Sequence, residues 1–245
     1  MIKLDYLNQV RRICDFYEKN PDSIDKAAKV CADAIRNKNL IYFFRVGHAN
    51  EDDFLNRAGG LASVKKFSFS FNWDAAVPEC RTEGLGKDKP EIPYETTLLA
   101  LKASNIRKGD IMFVGSVSGK TNQYVDLALA CKELEITTIG FTSLEYTSQV
   151  EATHPSGKKL LDVVDIVIDN GAPFGDACVE CPGFDHKILP ISGVSMIIAG
   201  WLIMGTCAEI LGKEGNPPTM FESVNKPNGV EIYNNYVKQF NERGY

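Results

Sequence analysis

Short apolar runs alternate with amphipathic stretches along this chain, and the alternation predicts the order of its secondary structure. Five runs are brief and rich in β-branched or aromatic residues, as buried strands are; they lie at 40–46, 64–71, 110–116, 136–143 and 163–169. Apolar residues recur at helical spacing between or after them, at 51–58, 94–105, 120–134 and 145–151. Two more amphipathic helices are predicted before the first strand.

Strands that alternate with helices in this way indicate an α/β fold, with a mostly parallel sheet covered on both faces. Ligands bind such sheets at the carboxyl ends of the strands, near a reversal in strand order. We find no repeat or interdomain linker, and 83–93 is a charged loop punctuated by glycine and proline. The sequence predicts one domain over 1–245, with a core at about 38–212 and helical additions at 1–37 and 213–245.

Composition excludes several classes of partner. With 27 basic and 32 acidic residues the net charge is −5, so no general basic surface attracts nucleic acid or an anionic membrane. The seven cysteines are scattered through apolar segments, which is typical of a cytoplasmic protein with reduced thiols. Cys178 and Cys181 have the spacing of a zinc pair, but no second pair accompanies them. We therefore expect no metal and no cofactor.

The run from Ile191 to Ala208 carries no charge and approaches the length of a transmembrane helix. It contains several glycine and serine residues, and nothing else in the sequence resembles a second span. A central helix of a large α/β domain has the same composition. We predict a buried helix here and no membrane partner.

Small hydrogen-bond donors gather where the third predicted strand gives way to a helix, in FVGSVSGKTNQ (113–123). A helix N-terminus presents unpaired backbone N–H groups and the positive end of the helix dipole. Hydroxyl groups of serine and threonine, one lysine and a glycine that allows close approach of the backbone surround it. The spacing is not that of a Walker loop. The segment predicts a site for a phosphate-sized anion, and a plain turn with Ser118 as N-cap is the alternative.

The motif S-x-S-G-x-T between a strand and a helix resembles the sugar isomerase (SIS) domain, in which it holds the phosphate of a phosphosugar. The similarity covers roughly 40–225 and is to a branch of single-domain phosphosugar-binding proteins; it includes NRAGGL (56–61), GFTSLEYTS (140–148) and the segment 154–180. This resemblance implies a flavodoxin-like three-layer αβα sandwich with a five-stranded parallel sheet. It also implies a homodimer or homotetramer with sites near the subunit interface.

Two cations depart from the pattern of that family. Its first loop typically has glycine before a Gly-His pair and serine after it, whereas this chain has Arg45-Val46-Gly47-His48-Ala49. Arg45 either binds a second acidic group of the ligand or forms a salt bridge to Asp52 or Asp53. Lys120 is not dictated by the motif. We expect the ligand to differ from that of the relatives, in its sugar or in its anion.

Candidate catalytic residues follow from aldose–ketose isomerisation, which needs a base to move a proton between C1 and C2. His48 ends the first strand, where the topology predicts a ligand, although it is also placed to cap the next helix. Glu180 lies in a segment that matches the family and is close in sequence to His186, while Asp53 follows His48 on the next predicted helix. A buried polar role for His186 and a solvated charge for each acid are the alternatives.

Further hydroxyl groups are expected on the ligand side of the sheet. Thr142 and Ser143 end the fourth strand, and Ser192 begins the long apolar helix. Asp176 is expected only to fix its loop by accepting backbone N–H bonds. The predicted substrate-binding set is Arg45, Gly47, Ser116, Ser118, Gly119, Lys120, Thr121, Thr142, Ser143 and Ser192.

These residues favour a cytoplasmic, metal-independent aldose–ketose isomerase that acts on a sugar phosphate or a similar anionic sugar. A non-catalytic phosphosugar sensor or an amino-sugar-phosphate lyase would use the same anion site, and fold does not decide between them. Histidines near the predicted site, and no helix-turn-helix before the domain, favour the enzyme.

Overall fold

The computed structural model describes residues 1–49, 51–70, 78–81 and 93–245. A five-stranded sheet of order β2-β1-β3-β4-β5, parallel at every pairing, lies at its centre. The strands are β1 (Ile41–Val46), β2 (Val64–Lys66), β3 (Ile111–Gly115), β4 (Thr137–Thr142) and β5 (Ile166–Asp169). This is the flavodoxin-like order, and the predicted fold class is confirmed.

Helices cover both faces of the sheet because side chains in each strand alternate between two apolar cores. Phe43 and Phe113 face one core, and Tyr42 and Met112 face the other. The first core is covered by α1 (Ile2–Lys19), α2 (Asp22–Arg36) and α6 (Ser192–Lys213). The second is covered by α3 (Tyr94–Ala103) and α4 (Asn122–Glu133). Two further helices are α5 (Leu144–Ser148) and α7 (Gly229–Arg243).

Several elements are shorter than the sequence predicts, and one hairpin was not predicted. The predicted helix at 51–58 is a short 3-10 helix, Glu51–Phe54, and the predicted strand at 64–71 pairs over only three residues. Among the described strands, it lies at the edge of the sheet and pairs with β1 alone. The periodicity did not indicate an antiparallel hairpin of β6 (Ala177–Val179) and β7 (Ile188–Pro190). Residue 71 and most of the 83–93 loop lie outside the described residues.

The apolar run at 191–208 falls in α6, which packs extensively against α2 and buries one face in the first core. Among the described helices, α6 alone has the length and apolar composition of a membrane span, and 44% of that window is buried within the protein. Gly200 lies on its buried face, where a Cβ atom would overlap the ring of Phe54. Glycine is therefore required at this contact by space rather than by backbone conformation.

We expect Gly200→Ala to destabilise the protein by about 1–2 kcal/mol, because overpacking costs about 1–3 kcal/mol and exceeds the helix propensity gained. Gly205→Ala is a matched control on the exposed side of the same helix, where nothing lies within 4 Å of the added Cβ atom. It should increase stability by about 0.5–1 kcal/mol. Urea denaturation measures both changes, and equal stability of the two variants would refute the packing of Phe54 on Gly200.

Candidate functional site

A cavity of about 380 Å³ opens at the carboxyl ends of β1 and β3. The strand order reverses between these two strands, which is where parallel α/β sheets bind ligands. Its described lining comes from the loops after β1 and β3, the first turn of α4, α5 and the base of the β6–β7 hairpin. The lining residues are Gly47, His48, Ser116, Val117, Ser118, Thr121, Tyr124, Tyr146, Gly175, Asp176, Ala177 and Pro190.

The loop from Ser116 to Thr121 forms one wall of the cavity. A turn begins it, in which the Gly119 N–H donates to the Ser116 carbonyl at 3.0 Å. The hydroxyls of Ser116 and Thr121 are 3.3 Å apart, and Thr121 is the N-cap of α4. The positive end of α4 therefore lies at the wall, together with three hydroxyl groups, counting that of Ser118. Such a wall suits an anion.

Gly119 was expected to let the backbone come close to a ligand, and the structure gives it a different role. Its φ of +67° is one that glycine tolerates, and a Cβ atom would lie 3.1 Å from the Thr147 hydroxyl and 3.2 Å from the Thr142 hydroxyl. It does not belong to the described cavity lining. Glycine is needed here to pack the turn against β4 and α5, rather than for close approach of a ligand.

Three predicted donors are occupied within the protein. The hydroxyl of Thr142 donates to the Val117 carbonyl at 3.2 Å, and that of Ser143 donates to the Ala172 carbonyl at 2.6 Å. The Ser192 hydroxyl donates to Asp176 at 2.7 Å. All three residues are fully or almost fully buried. They support the loops that line the cavity, and their placement does not bring their hydroxyls into the described lining.

Lys120 and Arg45, the two cations that depart from the family pattern, differ in their relation to the cavity. Lys120 is exposed, and its side chain is not in the described lining, while its backbone carbonyl accepts from the Thr153 hydroxyl at 2.7 Å. Arg45, at a φ of +25°, interacts with the hydroxyl of Tyr124, a lining residue. Burial raises the pKa of Tyr124, and the guanidinium of Arg45 partly opposes that rise. Arg45 therefore reaches the cavity through Tyr124.

The alternative prediction for Arg45 was a salt bridge to Asp52 or Asp53, and the ion pairs within the described residues do not include it. Asp52 pairs with Lys66 at 3.0 Å, and Asp53 pairs with Arg57 at 2.6 Å. Asp53 also lies outside the described lining, so its predicted catalytic place is not at this cavity.

His48 and Asp176 lie next to each other in the cavity lining, with 4.0 Å between Nδ1 of the imidazole and Oδ2 of the carboxylate. The imidazole is 79% exposed and the carboxylate is 13% exposed. Asp176 accepts backbone N–H bonds, as expected, but the donors are Ile191 and Ser192 at the start of α6. Of the four predicted catalytic residues, His48 is the one that lines the cavity.

Glu180 and His186 lie on the hairpin beyond the cavity. The lining includes Ala177 and Pro190, which pair at the base of this hairpin, whereas Glu180 follows the end of β6. At about 3.3 Å per residue, Glu180 is roughly 10 Å along the strand from Ala177. The His186 imidazole is 69% exposed and contacts the Asp185 carboxylate at 2.7 Å. Both are surface residues in this chain.

Two tyrosines of the cavity lining were missed by the sequence analysis. Tyr124 follows the predicted anion loop and lies within the helix predicted at 120–134, where its apolar ring did not mark it as a site residue. Tyr146 lies within the GFTSLEYTS segment that resembles the family, and no spacing argument singled it out. Both tyrosines follow closely after strands that end on the ligand side of the sheet, and this position in the sequence was the signal that could have identified them.

The two cysteines of the CxxC pair, Cys178 and Cys181, have structural surroundings rather than those of a metal site. The Cys178 thiol is buried and donates to the Leu189 carbonyl at 3.1 Å across the hairpin, and Cys181 is partly exposed. Within the described ranges, no group of three or more histidine, cysteine or acidic side chains is placed to hold a metal ion.

Comparisons with known proteins agree with this fold. A UPF0309 protein of Oceanobacillus iheyensis is 32% identical over 97% of this chain and 96% of its own, and one of Listeria innocua is 30% identical over 96% and 93%. The solved phosphoheptose isomerase GmhA of Neisseria gonorrhoeae superposes with a TM-score of 0.52 at 14% identity, covering 84% of this chain and 95% of its own. A phosphoheptose isomerase of Francisella tularensis gives 0.50 at 15% identity, with 85% and 100% covered. Because the SIS domain profile matches residues 5–143, more than half of the sequence, this chain belongs to the SIS domain family.

Proposed function

We propose that this protein is an aldose–ketose isomerase that binds the phosphate, or a similar anion, of a sugar at the Ser116–Thr121 loop. The observation that carries the proposal is the composition of one cavity, which joins a helix N-terminus rich in hydroxyl groups with an imidazole–carboxylate pair. Two solved proteins with this fold are phosphoheptose isomerases. That likeness supports the reaction class, and the sugar remains to be identified by the ligand panel described below.

Local donors rather than overall charge would attract the anion, since the chain carries a net charge of −5. The backbone N–H groups of Ser118 and Thr121 donate to no backbone carbonyl in the described part of the chain. The hydroxyl of Ser118 stands beside them in the lining. An anion bound there would receive charge-assisted hydrogen bonds, which are about twice as strong as neutral ones.

The acid–base chemistry would come from another residue of the lining. His48 is the histidine of the described lining, and an imidazole takes and returns protons near neutral pH. Isomerisation needs one group that moves a proton between adjacent carbons, which this residue would provide without a metal. Arg45 and Tyr124 would contact a polar group at the far end of the sugar.

A phosphosugar sensor is the second candidate, because binding needs only the loop, whereas catalysis also needs His48. The amino-sugar-phosphate lyase requires a glutamate acid–base, and the described lining includes no glutamate. We further propose that the protein acts in the cytoplasm as a homodimer or homotetramer built from one SIS domain over 1–245. Partly exposed apolar side chains of α6, such as Leu202 at 41%, support such self-association.

A panel of sugar phosphates, sugar sulfonates and uronates tests the proposal. Thermal shift first identifies compounds that bind, and NMR of each hit in D₂O then follows deuterium at C2. We expect a sugar phosphate to raise Tm and to acquire deuterium at C2 while its ketose or aldose isomer appears. Binding without exchange would favour the sensor, and no binding by any member of the panel would refute the anion site.

A further inference from the structure

The Asp176 carboxylate is fixed more firmly than a loop residue requires. Its Oδ1 accepts from the N–H groups of Ile191 at 3.1 Å and Ser192 at 2.8 Å, and its Oδ2 accepts from the Ser192 hydroxyl at 2.7 Å. These donors form the N-terminus of the 22-residue α6, whose dipole also favours a negative charge. The aspartate itself has a φ of +66°, an uncommon conformation for a residue with a side chain.

The direction of this carboxylate is toward the cavity. Asp176 lines the cavity, and the oxygen that accepts from Ser192 is also the one 4.0 Å from Nδ1 of His48. A carboxylate beside one ring nitrogen favours the tautomer with hydrogen on that nitrogen. The other nitrogen, Nε2, then carries the lone pair. Catalytic hydrogen bonds are often long in the free protein and shorten when the ligand binds.

We propose that Asp176, held by the N-terminus of α6, is the positioning residue for His48 and makes Nε2 of this histidine the base of the reaction. This inference rests on the proposed isomerase function and names a residue pair for it. Nε2 takes the proton from C2 and returns it to C1, while the hydroxyl proton of O2 passes to O1. The C2–H bond breaks, the C1–H bond forms, and no oxidant or reductant is consumed.

Histidine NMR tests the positioning without any turnover. The chain has three histidines, so ¹⁵N-histidine labelling with long-range ¹H–¹⁵N spectra at alkaline pH resolves each ring, and His48→Gln assigns the signal. With inorganic phosphate at saturation, we expect the Nδ1–H tautomer for His48 in the wild type and its loss in Asp176→Asn. Asp185→Asn is the matched control, because Asp185 lies 2.7 Å from His186 on the surface. It should leave the His48 signal unchanged.

Kinetics with the sugar phosphate found in the panel test the role in catalysis. We expect Asp176→Asn to lower kcat by about 100-fold, the range for loss of general acid–base catalysis, with KM within about threefold. His48→Gln should lower kcat at least as much. Ser192→Ala removes one hydrogen bond to Asp176 and should lower kcat by a smaller factor. It replaces Asp176→Asn in this test if Asp176→Asn does not fold.

Each failure has a distinct meaning. An Nε2–H tautomer in the wild type, or a tautomer that Asp176→Asn leaves unchanged, overturns the positioning role whether or not the protein is an isomerase. A change in KM alone in Asp176→Asn, or normal deuterium exchange in His48→Gln, overturns the catalytic role of the pair. If no panel member turns over, the isomerase function and the proton transfer by His48 fall together, and the tautomer still decides the positioning.

Discussion

Replacing Ser118 with aspartate is expected to lower the affinity for a sugar phosphate by about 1,000-fold. Ser118 lies in the cavity wall beside the N-terminus of α4. A carboxylate about 4 Å from a bound phosphate is repelled by about 4 kcal/mol at an effective dielectric constant of about 20, which corresponds to that factor. Ser118→Ala removes only a charge-assisted hydrogen bond, and it should cost about 1.5–3 kcal/mol, or roughly 10–150-fold.

Calorimetric titration with the best sugar phosphate of the panel, and with inorganic phosphate, measures the series. Asn235→Asp is the matched control, since it makes the same charge change on the exposed side of α7. It should bind like the wild type. An Ser118→Asp variant whose affinity lies within threefold of Asn235→Asp would show that the anion binds elsewhere. Equal losses for phosphate and for the sugar phosphate would indicate that Ser118 contacts the anion rather than the sugar.

The sheet could be predicted from the sequence because both faces of its central strands are buried. Such strands are continuous apolar runs, and those at 110–116 and 136–143 were located to within one residue at each end. The edge strand β2 was overestimated, because its apolar run continues through Phe67 and Phe69 while its pairing with β1 ends at Lys66. The hairpin strands β6 and β7 have three residues each, too few to establish a period.

The site was only partly predictable, for a physical reason. A sequence shows which hydroxyl groups follow strand ends, but not which of them already have a partner. Ser116, Ser118 and Thr121 line the cavity, whereas Thr142, Ser143 and Ser192 are bonded to carbonyl or carboxylate oxygens within the fold. Hydrogen bonds between residues far apart in sequence decide this.

Asp176 is a residue that contacts distant in sequence bring into the site. Its loop-fixing role was inferred from the residue type, yet the donors are 15 and 16 residues away at the start of α6. Only the folded chain brings this carboxylate to His48, which lies on a loop after β1. Glu180 and His186 are close in sequence, but neither belongs to the described cavity lining.

The largest loss of stability is expected for Phe113→Ala. Phe113 is fully buried in β3, where its ring stacks on that of Phe43 at 4.6 Å and lies 5.7 Å from that of Phe141. Removal of the ring leaves a cavity among rigid neighbours, and such changes cost about 3–5 kcal/mol. A domain is stable by only about 5–15 kcal/mol, so this is a large fraction.

Urea denaturation measures the stability of Phe113→Ala and of the control Phe184→Ala, and the difference between their losses gives the effect of burial. Phe184 is 56% exposed on the hairpin, and its truncation should change stability by no more than about 0.5 kcal/mol. If Phe113→Ala does not fold, Phe113→Leu should fall between the two, because it refills part of the space. A loss for Phe113→Ala below about 1 kcal/mol would contradict the stacked core of β1, β3 and β4, since a buried ring in close contact on both sides cannot be removed so cheaply.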